Sequence, residues 1–177
     1  MRAAWTAGGA AILAVVLTAS LGGCSWRQAS NGAGARTQIS QQTLAEIRVV
    51  VKEIEREVAA FVPPDLVTGE VESTSGSLTG CSPGAASWGS HTALPVSRPP
   101  AFRELADDLR EHWSRAGDFD VELTEGSTGE PRLILRSPVL GNYYVEMIEE
   151  FLQVASFSTC FAYDAERDGY DWEIGAE

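Results

Sequence analysis

Residues 43–61 read TLAEIRVVVKEIEREVAAF. Leu44, Ile47, Val51, Ile54, Val58 and Phe61 recur at spacings of 3, 4, 3, 4 and 3. On a helix of about 3.6 residues per turn they make one apolar stripe. Thr43 with Glu46 three residues later is a capping-box start. Pro63-Pro64 stops the helix, since proline has no N–H for the next turn. Glu46, Lys52, Glu53, Arg56 and Glu57 occupy the other faces. A one-striped helix must bury its stripe. Three heptads could seat a partner helix, but a sheet of the same chain is the stronger expectation.

Working outward, Val67 to Gly80 is rich in Gly, Ser and Thr, a long loop or weak strand. Cys81 to Leu94 reads as a strand leading inward around Trp88. Pro100 suits the first turn of a second helix. Phe102, Leu105, Leu109, Trp113 and Ala116 give that helix its apolar face, and Gly117 its end. Phe119, Val121 and Leu123 then alternate with Asp120, Glu122 and Thr124, as in a half-buried strand. Gly126-Ser127-Thr128-Gly129 is a turn, and Leu133 to Arg136 the return strand. Tyr143–Ile148 and Phe151–Phe157 also fit a helix through Tyr144, Met147, Ile148, Phe151 and Ala155. Aromatic and β-branched content favours a hairpin, although Glu149-Glu150 is a poor tight turn. Asp164 to Glu177 carries six acids against Arg167 and is expected to fray.

The front of the chain concerns address. Met1-Arg2 is followed by the apolar run Ala10–Leu17 and then by Leu21-Gly22-Gly23-Cys24. A basic start, an apolar stretch and small residues before a cleavage point make a secretory signal. Leu21-Gly22-Gly23 before Cys24 resembles a bacterial lipobox, which implies lipidation of the Cys24 sulfur and cleavage in front of it. An uncleaved membrane helix is the competing reading, since about 20 apolar residues suffice to span. The Gly, Thr and Ser residues within that window dilute it. The expected organisation is a signal peptide over 1–23, a flexible tether over 24–38, a domain over 39–163 and an acidic tail over 164–177. With net charge −12, the chain repels nucleic acid and anionic headgroups. The membrane is then reached through acyl chains at Cys24, on the extracytoplasmic face. Cys81 and Cys160 remain of the three cysteines. Export to an oxidising compartment favours their pairing over two buried free thiols.

A tethering Cys, a long helix, a Cys-bearing loop and a second helix precede strands ending in Asn142-Tyr143-Tyr144-Val145 and Ser158-Thr159-Cys160-Phe161. This arrangement resembles the LppA-type lipoproteins of mycobacteria and related actinobacteria, best from Phe102 to Phe161. The resemblance implies an α+β fold, with two helices packed on one face of a mostly antiparallel β-sheet in a single compact domain with one disulfide. It implies a Cys81–Cys160 bridge and carries over no activity.

Catalytic and metal constellations fail one by one. Gly80-Cys81-Ser82-Pro83-Gly84 matches G-x-S-x-G literally, but a nucleophile elbow needs a buried strand before the serine and a helix after it. Pro83 also lacks the N–H that an oxyanion hole takes from that position. His91 and His112 are the only histidines, and with the cysteines they have no zinc-ligand spacing. Asp164 to Gly169 echoes half a calcium loop, yet Gly175 stands where the bidentate Glu belongs and Glu173 falls two places early. Asp107/Asp108 and Glu149/Glu150 are adjacent pairs whose side chains diverge. Trp88, Trp113, Tyr143, Tyr144, Phe151 and Phe157 read as core and sheet-packing residues, with a hydrophobic groove as the lesser alternative. No cofactor, metal or catalytic residue is expected. The function indicated is a non-catalytic binding or structural module at the outer membrane face, meeting an envelope protein partner. The alternative is a carrier of a lipid or other apolar ligand between helices and sheet.

Overall fold

The computed structural model describes residues 39–73 and 76–170. The stretches read as signal peptide and tether, with Leu21–Cys24, and the tail beyond residue 170 lie outside them, as do Glu173 and Gly175.

Helix α1 spans Leu44–Ala59 with the capping box in place. The Thr43 N–H donates to the Glu46 carboxylate at 2.8 Å, and the Thr43 hydroxyl accepts from the Glu46 N–H at 3.3 Å. Leu44, Ile47, Val51, Ile54 and Val58 are buried as the stripe requires. Phe61 falls beyond the helix and is half-buried. Two tight turns after Ala59 bring Val62 into the core instead.

Eight strands follow among the described residues: β1 Glu72–Ser73, β2 Ser77–Ser82, β3 Ala85–Pro95, β4 Asp120–Glu125, β5 Pro131–Ser137, β6 Gly141–Ile148, β7 Phe151–Phe157 and β8 Phe161–Ala162. All strand pairs are antiparallel, in the order β1-β3-β7-β6-β5-β4, with β2 and β8 also on β3. β3 is the spine. One of its edges takes β1 and β2 in succession, the other β7 and β8. The weak strand expected before Cys81 is thus β2, closed onto β3 by Pro83 and by Gly84 at φ +72°, a position suited to glycine. Tyr143–Phe157 is the hairpin, with Glu149 taking φ +54° at its turn.

Helix α2, Phe102–His112, and α1 cover the same sheet face, α2 over β4 and β5, α1 over β3 and β7. Trp88, Leu94, Leu133, Leu135, Tyr143, Val145, Leu152 and Val154 fill the space beneath them. The opposite face carries His91, Tyr144, Ala155 and Phe157, framed by the ion pairs Arg132–Glu146 and Arg136–Glu122. On the edge strand β4, the Val121 carbonyl accepts from the Arg110 guanidinium at 2.8 and 3.2 Å. A covered carbonyl makes the edge a poorer template for another strand.

Three expectations are corrected. α2 ends at His112, one turn short of Ala116, and Trp113 is extended at ψ 130°. Its indole stacks on Phe119 at 4.8 Å and donates to Glu57 on α1, and a short 3-10 turn over Ala116–Asp118 follows. The acidic end does not fray where it begins. Asp164 caps a one-turn helix α3, Ala165–Asp168, and the Asp168 carboxylate accepts from the Leu44 N–H at 3.1 Å. α3 thereby supplies negative charge to the N-terminus of α1. Finally, Trp88, Trp113 and Tyr143 are core residues, but Tyr144 and Phe151 are half-buried and Phe157 is 46% exposed. Tyr144 and Phe157 meet edge to face on the open sheet face.

Cys81 and Cys160 are joined, their Cα atoms 6.3 Å apart. With a sequence separation of 79, the crosslink removes about 4 kcal/mol of denatured-state chain entropy.

Gly141 has φ +94°, and a Cβ there would lie 2.2 Å from the Phe157 carbonyl oxygen. Gly141→Ala is expected to cost about 2 kcal/mol or more. Denaturant unfolding checks this, and a variant with the wild-type midpoint would contradict the β6–β7 register.

Candidate functional site

Glu55 lies on the buried side of α1, four residues after Val51 and four before Ala59, and is wholly inaccessible to solvent. Its Oε1 accepts from the Ser90 hydroxyl at 2.6 Å and the Ser156 hydroxyl at 2.5 Å. Its Oε2 accepts from the Thr92 hydroxyl at 2.8 Å and the Lys52 ammonium at 2.9 Å. A carboxylate offers about four lone-pair sites, and all four are taken. Ser90 and Thr92 stand two apart on β3, so both face the helix, and Ser156 stands opposite Ser90 on β7. Lys52, one turn back on α1, also donates to the His91 carbonyl at 3.2 Å. Lys52 and Arg48 each sit 5.7 Å from the Trp88 ring centroid, within cation–π range. Burial first, and the Glu55 charge next, push the Tyr143 phenol well above its usual range.

The cluster is built to hold a charge. Ser90 and Ser156 are nucleophile types, but both hydroxyls are committed to a carboxylate and both residues are buried. The Lys52 ammonium is paired rather than free to act as a base. The arrangement fixes the angle between α1 and the sheet.

A second group joins the two helices at the surface. Glu57 accepts from the Trp113 indole at 2.8 Å and from the Arg115 guanidinium at 2.9–3.2 Å, and Arg115 also pairs with Glu53. The Arg115 hydrogen bonds hold the Glu57 carboxyl below its ordinary value.

Beside the Glu55 cluster the surface opens. Ala59 and Ala60 end α1 with side chains too small to fill the space between the helix and the segment leading to β1. The result is a cleft of about 730 Å3 walled by Val62, Pro64, Val67 and Val71, with Thr92 and Leu94 of β3 as floor and Arg56 at its lip. Thr92, whose hydroxyl donates to Glu55, is thus a residue of both the cluster and the cleft.

The residues weighed from the sequence fall elsewhere. Ser82 is exposed at the end of β2, where the next element is strand β3 and not a helix. Cys81 and Cys160 are spent on the disulfide. His112 is exposed beside Glu111, while His91 lies on the open sheet face. Asp107 pairs with Arg110 on α2. Among the described residues no three His, Cys, Asp or Glu side chains are grouped to hold a metal ion, and no helix is long and apolar enough to cross a membrane. The Glu55 cluster was missed by pattern reading. The signal for it was a glutamate spaced four from Val51 and Ala59, together with hydroxyl residues two apart at 90 and 92.

No family model and no curated protein matches the chain. Among solved structures it is similar to the crystal structure of a DUF4853 family protein from Actinomyces odontolyticus, at 15% sequence identity and a TM-score of 0.41, over 70% of this chain and 71% of that one.

Removing one partner from a buried ion pair strands the other. Glu55→Ala is therefore expected to cost about 3–5 kcal/mol in denaturant unfolding. Glu55→Gln should cost less, because its amide keeps one accepting oxygen. A loss below about 1 kcal/mol for Glu55→Ala would show the cluster to be incidental. For Glu57 the sign is that of a lowered carboxylate. It stabilises the fold above its unfolded value of about 4.3, and that contribution disappears as pH falls through the lower folded value. Glu57→Gln should thus lower stability at pH 7 and flatten its fall below about pH 4.5. Parallel acid limbs for the two proteins would contradict this.

Proposed function

We propose that the chain is a lipid-anchored cell-envelope protein of LppA-like type, whose domain is a non-catalytic binding or structural module held outside the cytosol. The observation that carries this reading is Leu21-Gly22-Gly23-Cys24 behind the apolar run Ala10–Leu17. A disulfide in the folded domain fits an oxidising compartment. The non-catalytic part is supported by the Glu55 cluster, whose potentially reactive hydroxyls and amine are all engaged by one carboxylate. The acidic surface favours attachment through acyl chains rather than by attraction to anionic lipid. An envelope protein then approaches a module held near the bilayer.

The second reading, carriage of an apolar ligand, is favoured by the cleft at the end of α1. Its volume of about 730 Å3 lies within the range of about 300–1,000 Å3 usual for ligand sites.

Replacing the anchoring residue tests the first reading. Cys24→Ser protein is expected in the soluble extracytoplasmic fraction, without the gel-mobility shift of acylation, while the wild-type protein sediments with membranes. A serine variant that sediments and migrates like wild type would overturn the anchor.

A further inference from the structure

The charged residues on the last turns of α1 sort into those that are answered and one that is not. Lys52 is held by Glu55, and Glu53 and Glu57 by Arg115. Arg56 is in the same turns and exposed, and its guanidinium has no hydrogen bond or ion pair to any described residue. It stands at the lip of a cleft whose walls are otherwise Ala59, Ala60, Val62, Pro64, Val67 and Val71. On a chain of net charge −12, a cation left without a carboxylate beside an apolar cleft is a local reversal of sign. The floor is Thr92 and Leu94 of β3, and the Thr92 hydroxyl is given to the buried Glu55 carboxylate.

The requirements on a ligand follow. It must be apolar over most of its length to replace water along the valine and proline walls. It must carry negative charge at one end, where a guanidinium can donate two parallel hydrogen bonds. An elongated apolar chain can lie between the end of α1 and Thr92 and Leu94 of β3. We propose that this cleft binds a single-chain fatty acid, with the acyl chain along Ala59, Ala60, Val62 and Val67 and the carboxylate on Arg56. This inference rests on the carrier reading and specifies its ligand.

The test uses the full-length Cys24→Ser chain, so that no acyl group of its own competes for the cleft. The probe is cis-parinaric acid, whose fluorescence rises in an apolar site, displaced by palmitate or by hexadecanol, which has the same chain length without the carboxylate. Saturable binding of one probe per chain is expected, displaced at least about tenfold better by palmitate, the worth of a charge-assisted hydrogen bond. Arg56→Gln should abolish that preference while leaving the unfolding midpoint unchanged. Ala60→Trp, at an exposed position, should block the cleft and remove probe binding.

Equal displacement by palmitate and hexadecanol, with Arg56→Gln like wild type and Ala60→Trp blocking, would overturn the fatty-acid assignment and leave the carrier reading standing. Absence of saturable binding, or binding indifferent to Ala60→Trp, would overturn both. Displacement by phosphatidylglycerol vesicles at lower acyl concentration than palmitate would replace the fatty acid by a two-chain lipid and overturn the proposal as stated.

Discussion

A single carboxylate sets the relation between the main helix and the sheet. Glu55 enters the interior with its charge answered by three hydroxyls and an ammonium, drawn from α1, β3 and β7. An apolar helix face can slide on an apolar sheet at small cost, because dispersion contacts have little direction. Hydrogen bonds to a buried charge have direction, and slippage by one turn would leave that charge without partners in a medium of low polarity. The rest of the layer geometry follows from this lock. Trp88 lies between Glu55's neighbours on α1 and the sheet, Trp113 reaches Glu57 on the next turn, and α2 is brought alongside through Arg115.

The same lock explains what could be read in the residues and what could not. α1 was legible because its stripe repeats without interruption and its start has both halves of a capping box. β4 and β5 were legible because apolar and polar residues alternate around a Gly-bounded turn. β3, the spine of the sheet, was only half legible, and the reason is Glu55. Two of its inward positions are Ser90 and Thr92, placed there to satisfy the carboxylate, while outward positions include Gly89 and Ala93. With hydroxyls inside and small residues outside, the alternation that marks a strand is erased. Glu55 itself reads like any exposed glutamate on a helix rich in them. The end of α2 and the helix α3 escaped for a related reason. Trp113 and Asp168 are placed by partners on α1, Glu57 and the Leu44 N–H, more than fifty residues away in sequence.

The candidate site was still less legible. A cleft is a property of what is missing between elements, and Ala59 and Ala60 announce nothing in a helix where alanine is the favoured residue. Arg56 gains meaning only once its neighbours on the helix are seen to be paired. The open sheet face shows the converse. Tyr144 and Phe157 have the composition of core residues but lie opposite the helices, because the β6–β7 register assigns the core to Tyr143, Val145 and Val154.

The point at which the chain enters the fold has a mechanical meaning. Ser40 exchanges backbone hydrogen bonds with Cys160 and Ala162, at 2.8 and 2.9 Å, and Cys160 is bonded through sulfur to Cys81 on β2. Tension arriving along the chain from before Ser40 is therefore delivered first to β8 and the covalent corner, not to the N-terminus of α1. β8 and β2 are both neighbours of β3, so the pull enters the sheet around Ala85 and Ala86, at the end of β3 away from Thr92 and Leu94. A module worked by flow or by a moving surface would keep its cleft in shape under that load.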